Sequence, residues 1–165
     1  MSKWIAIGAS AAAVALVAGT FAVTQLRAPT MADCGATAAA GDVIGGPFEL
    51  VDKTGKTVTN TDVITKPTLV YFGYTFCPDV CPLDMARNAA AMDILEERGV
   101  GAGGVFITID PARDTTEIVG EYADSLHPDM IGLTGTEDQV AAAVKAYRVV
   151  ASKQEDDPEY YLMQH

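Results

Sequence analysis

The chain opens on a stretch without a charged residue, Trp4 to Val23. It settles only after Gly46 into short apolar segments separated by turns and polar faces. Phe48 to Val51 and Lys56 to Thr59 flank a turn sequence, Asp52 to Gly55, and predict a hairpin. Thr68 to Tyr74 is a continuous apolar run of strand length, rich in β-formers, and predicts a central strand covered on both faces. From Asp79 to Arg98 the period becomes helical. Met85, Ala89, Met92 and Leu95 or Ile94 form one stripe, and Gly99 ends the helix. Gly104 to Ile109 reads as a second buried strand. Asp114 and Glu117 have the spacing of a capping box, ahead of Ile118, Val119, Tyr122 and Leu126 on a helix face. Met130 to Leu133 is a short strand. Thr136 and Gln139 form another capping box before Val140, Ala141, Val144 and Tyr147. Arg148 to Ser152 and Tyr160 to Met163 read as strands around the acidic turn Glu155 to Pro158. Strands alternating with helices predict an α/β sandwich with parallel pairs, in which chemistry collects at the C-terminal ends of strands.

The opening run changes the picture of where this domain works. Twenty helical residues span ~30 Å, the thickness of a bilayer core. Lys3 precedes the run and keeps the N-terminus cytoplasmic, with Trp4 at an interfacial position. A cleaved signal peptide is the competing reading. Its apolar region is shorter, and Thr24 to Arg27 makes a poor cleavage site. The expectation is therefore a membrane anchor over residues 1–27 and a small-residue tether over 28–46. A domain over 47–165 then lies in the periplasm of a bacterial inner membrane. The net charge of −11 repels phosphate backbones, so nucleic acid is not an expected partner.

Three cysteines, Cys34, Cys77 and Cys81, are too few for a disulfide framework. Cys34 lies in the tether and is read as an incidental thiol. Cys77 and Cys81 follow directly on the strand that ends at Tyr74. Residues four apart in a helical turn bring their Cβ atoms to ~5–6 Å on one face, close enough for a disulfide or for two thiolates on one metal ion. Pro82 is tolerated only in the first turn of a helix, so the pair sits at a helix N-terminus, where a thiolate is favoured. Two thiolates favour Cu(I) or zinc. Structural zinc wants four ligands, and a two-thiolate site completed by one imidazole suits copper better. A plain stabilising disulfide is the bland alternative, but so small a loop contributes little. Outside the cytoplasm the pair can also cycle between disulfide and dithiol.

Tyr71 to Pro82, Phe106 to Asp114, Ile131 to Thr136 and Tyr147 to Val149 resemble the Sco/SenC family, the copper chaperones of cytochrome c oxidase assembly. The resemblance runs from Gly46 to the end. It implies a thioredoxin-like α/β fold with an N-terminal hairpin, preceded by one transmembrane helix. It implies copper, as Cu(I) or Cu(II), held by Cys77, Cys81 and a distant histidine. Tyr161 to His165 stands where that histidine falls, which names His165, with Gln164 in place of the usual aspartate. The implied partners are a copper donor protein and cytochrome c oxidase subunit II, whose binuclear copper site would receive the ion. The family continues past this histidine through a strand and a closing helix, so the domain is expected to be C-terminally incomplete.

Beside that pair, His127 is read as lying just past a helix, whose C-terminus favours a charged imidazole. Asp114 is read as an N-cap, Arg113 as pairing locally, and Tyr160 and Tyr161 as sheet residues. Asp79 either caps the helix or, lying between the cysteines, tunes the thiolates or contacts a partner. Two further functions stay open on the cysteines: a thiol-disulfide oxidoreductase acting on the recipient's copper-site cysteines, and a peroxidase or redox sensor of the same fold class.

Overall fold

The computed structural model describes residues 44–154 and 161–165. The anchor expected over 1–27, the tether expected over 28–46 as far as residue 43, Cys34, Tyr160 and the acidic turn lie outside the described residues. Among the described residues no helix is long and apolar enough to cross a membrane.

The hairpin forms as read, from β1 (Glu49–Asp52) and β2 (Thr57–Thr59), followed by a one-turn helix α1 (Asn60–Val63). Next come β3 (Thr68–Gly73), α2 (Val80–Glu97), β4 (Gly103–Thr108), α3 (Thr116–Leu126), β5 (Met130–Thr134) and α4 (Glu137–Ala146). The sheet order is β2-β1-β5-β4-β3, with β3, β4 and β5 parallel and β1 antiparallel to β5. A separate antiparallel pair, β6 (Ser152–Gln154) and β7 (Leu162–Gln164), ends the chain.

Alternation along β4 builds both halves of the core, because successive side chains point to opposite faces. Val105 and Ile107 pack with Leu50, Leu133, Val140 and Ala143. Phe106 packs with Met85 and Met92 of α2 and Val119 and Ala123 of α3. The central, doubly covered strand is therefore β4, whose six residues are all buried. The expectation that gave this place to the 68–74 run is corrected: among the described residues β3 is an edge, and its first four residues are half-buried. Continuous hydrophobicity reports how much surface is covered, not which strands lie alongside.

On α2 the buried stripe is Cys81, Met85, Ala89 and Met92, with Leu95 rather than Ile94 continuing it. Gly99 takes φ +74°, the left-handed conformation that ends a helix at little steric cost. In α4 the capping box is present, but Ala143 is buried where Ala141 was expected. The strand expected from Arg148 starts only at Ser152, since Arg148 sits at φ +55° and breaks extended pairing.

Candidate metal and thiol site

Cys77 lies in the loop that leaves β3, and Cys81 is the second residue of α2. Asp79 occupies the N-cap position but makes no side-chain cap hydrogen bond. The Cys77 sulfur takes that role. It accepts from the backbone N–H groups of Asp79, Val80 and Cys81, the last at 3.4 Å. Burial pushes the Cys77 thiol up, but these three amides and a hydrogen bond with the Cys81 side chain outweigh it, and the thiol titrates below its ordinary range. Cys81 behaves in the opposite way. It is 1% exposed, and burial together with its neighbour's charge pushes it up to about 11, against hydrogen bonds from the Tyr74 backbone N–H and the Tyr71 hydroxyl. Both thiols are free.

Gly73 makes room for this arrangement. A Cβ there would come within 3.0 Å of Cys81 Sγ and 2.7 Å of Tyr71 Cε1. Asp114, 1% exposed, anchors the loop from behind. Its carboxylate accepts from the Thr75 N–H at 3.0 Å, the Thr75 hydroxyl, and the Thr108 hydroxyl at 2.6 Å. The capping role expected of Asp114 is thus corrected. Thr115 caps α3 through Ile118 N–H, and a carboxylate this deep in the sheet is held by hydroxyls instead.

His165 comes to the same place from the far end of the sequence. Its Nε2 lies 3.4 Å from Cys81 Sγ, and its ring stands edge-on to Tyr74 and Tyr71, with centroids 5.9 and 6.4 Å away. Sulfur and nitrogen ligands at the bond lengths of a tetrahedral thiolate–imidazole site lie ~3.5 Å apart. The Cys81–His165 separation therefore fits one shared ion. Among the described residues no group of three His, Cys, Asp or Glu side chains is already arranged to hold a metal ion. Cys77 is engaged with the first amides of α2, and Cys81 with Tyr71 and Tyr74.

Tyr71 and Tyr74, read from the sequence only as strand residues, belong to the site. The Tyr71 hydroxyl contacts Cys81 and, at 3.4 Å, Asp84. Burial and those neighbours hold its phenol well above the usual range. Tyr74 meets the Cys77 side chain and the Met163 backbone N–H, and burial is again the main cause of its raised phenol. The available signal was two hydroxyl-bearing rings at the end of a strand that runs into the cysteine loop. Tyr161 is not in a strand: its hydroxyl donates to Asp110 at 2.9 Å. Arg113 pairs locally with Asp110, as read, and also reaches the Tyr161 carbonyl. His127 is the C-cap of α3. It is buried, with Nδ1 accepting from Asp129 N–H and Nε2 3.3 Å from Asp93.

The SCO1/SenC family model matches residues 36–165. Protein SenC of Rhodobacter capsulatus is 55% identical over 150 residues, covering 89% of this chain and 68% of SenC. The mitochondrial SCO1 homolog 1 of Arabidopsis thaliana is 45% identical over 123 residues, covering 74% of this chain and 37% of that protein. The crystal structure of Arabidopsis thaliana ScoI with copper bound superimposes with a TM-score of 0.70 at 44% identity, over 74% of this chain and 77% of that one.

Proposed function

We propose, from the premise that this chain belongs to the SCO1/SenC family, that it is a copper chaperone. In this reading it binds copper through Cys77, Cys81 and His165 and hands it to the binuclear site of cytochrome c oxidase subunit II. The observation that carries the reading is the 3.4 Å approach of His165 Nε2 to Cys81 Sγ, between residues that are 84 apart in sequence. Two thiolates and an imidazole form a soft donor set that suits Cu(I). Cys77 contributes a sulfur already poised to ionise. Cys81 loses its proton on loading, and the His165 imidazole supplies the nitrogen donor. Release proceeds by ligand exchange, the recipient's thiolates replacing these donors one at a time. The uncharged run Trp4 to Val23 serves as a single-pass anchor, holding the domain at the periplasmic face of a bacterial inner membrane, where a donor protein supplies the ion.

The deciding experiment titrates the reduced protein with Cu(I) under competition, alongside Cys77→Ala and His165→Ala. Loss of affinity in both variants is expected, and unchanged binding in both removes the chaperone reading. Retention of the protein in membranes after alkaline carbonate extraction tests the anchor.

One observation favours a second reading, thiol-disulfide exchange with the same recipient. The pair is asymmetric, with an easily ionised Cys77 before a buried, protonated Cys81. Cys77 thiolate would attack a substrate disulfide and displace one substrate thiolate. Cys81, on losing its proton, would then attack the Cys77 sulfur and release the second, leaving this chain oxidised by two electrons. Exchange does not use His165, so His165→Ala separates the two readings: full reductase activity without copper binding favours exchange.

A further inference from the structure

Strand β7 carries Gln164 and leads into His165, yet among the described residues it pairs only with β6, outside the five-stranded sheet. Backbone-to-backbone hydrogen bonds therefore do not fix where His165 stands relative to Cys77 and Cys81; side chains must, and Tyr74, which meets the Met163 N–H, supplies one such tie. One side chain joins the three segments concerned. Arg113, in the loop between β4 and α3, donates from Nε to Asp110 Oδ2 and from Nη1 to the Tyr161 carbonyl at 3.0 Å. Its guanidinium carbon lies 3.7 Å from the centroid of the Tyr161 ring, 4.8 Å from that of Phe76 and 5.7 Å from that of Tyr74. Phe76 and Tyr74 flank the loop into Cys77, and Tyr161 is the residue that enters β7. Asp110, 4% exposed, closes the unit by accepting from the Tyr161 hydroxyl.

We propose that Arg113 is a positioning residue that sets His165 against the cysteine pair by clamping the entry to β7 onto the loop before Cys77. The planar fork makes the assignment specific to arginine. It donates to a carboxylate and a carbonyl at once while its face lies against aromatic rings, and a lysine ammonium cannot do all three. The copper arm of the test rests on the chaperone reading above; the metal-free arm does not.

In the reduced, metal-free full chain in detergent micelles, nuclear Overhauser contacts between the His165 and Tyr74 rings report the position directly. They are expected in the parent protein, and expected to be lost in both Arg113→Ala and Arg113→Lys while the dispersed signals of β4 and α3 persist. Cu(I) affinity should fall by ~10-fold or more in Arg113→Ala, the range seen when a residue supporting a metal ligand is removed. In a His165→Ala background the same change should cost nothing further, because its effect passes through His165. Ring contacts intact in both Arg113 variants, or an affinity loss that adds in full to that of His165→Ala, overturns the proposal. Should Arg113→Ala fail to fold, Arg113→Lys carries both comparisons. If parent affinity does not depend on His165, the three-ligand form of the chaperone reading fails and the ring contacts alone decide the clamp.

Discussion

Cys77 and Cys81 are the same residue type four positions apart, yet they face different surroundings. Cys77 caps a helix with its sulfur, and Cys81 sits under Gly73 with 1% of its surface exposed. Iodoacetamide should therefore modify Cys77 before Cys81 in the reduced protein, at a rate that rises with pH below the ordinary thiol range. Peptide mapping of a partially alkylated sample reads the order, and preferential labelling of Cys81 would contradict it. The two thiols also act oppositely on stability. Cys77 titrates lower folded than unfolded, so its contribution is present above the unfolded thiol pKa and lost as pH falls through the folded one. Cys81 titrates higher folded than unfolded. Its contribution is full below the unfolded value and lost as pH rises toward about 11. Alkaline destabilisation in that upper window should thus lessen in Cys81→Ser, leaving the share that the buried tyrosines contribute, as urea denaturation at stepped pH would record. Gly73→Ala tests the packing from the other side. A methyl 2.7 Å from Tyr71 Cε1 and 3.0 Å from Cys81 Sγ forces the neighbours to move, at a cost of ~1–3 kcal/mol by denaturant midpoint. Unchanged stability would mean that the site is looser than its geometry implies.

At the level of elements, the loop carrying Cys77 is held more by β4 and the turn after it than by its own strand. Asp114 receives three hydrogen bonds, two of them from Thr75, across 39 residues of sequence. Asp114→Ala strands buried hydroxyls and an amide, and should destabilise the fold by ~2–4 kcal/mol. It should also raise the exchange rate of the Thr75 amide, which hydrogen exchange measures; a protected Thr75 amide would show that the loop is held by something else. This is the kind of link the sequence does not display. The repeat of apolar positions gave β1, β2, β4, α2, α3 and α4 nearly to the residue, because period and caps are local properties. Spacing and Pro82 put the cysteines at a helix start for the same reason. Lateral order in the sheet is not local, so the continuous apolar run at 68–74 was misplaced at the centre although, among the described residues, β3 is an edge. Nor is a buried carboxylate's partner local: the spacing of Asp114 and Glu117 mimics a capping box one residue early, and only the tertiary fold turns Asp114 inward. His165 carried no signal in its own surroundings. Family resemblance alone names it, and in the fold its Nε2 lies 3.4 Å from Cys81 Sγ.

Across the whole molecule, the proposed ligands join a helix start in the middle of the chain to the strand at its end, so copper would cross-link elements that backbone hydrogen bonds leave apart. A ligand that binds only the folded state stabilises it in proportion to the logarithm of its concentration over Kd. At a hundredfold excess over Kd this amounts to ~2.7 kcal/mol, or on the order of 10 °C in Tm for a domain of this size. Cu(I) should therefore raise the unfolding temperature of the reduced chain by that order, and a Cu(I) chelator should return it to the starting value. Because Cys81 stays protonated up to about 11, binding displaces at least its proton, and the increment should shrink as the pH is lowered. Oxidising the pair to a disulfide removes both sulfur donors and should abolish the increment. His165→Ala should reduce it with a smaller change in the metal-free midpoint, since the residue is exposed and gives up only two ring-edge contacts and its contact with the Cys81 sulfur. Differential scanning calorimetry across these states separates a three-ligand site from a dithiol that merely scavenges copper. In the second case the His165→Ala increment would equal that of the parent chain, and the histidine would have to be struck from the site.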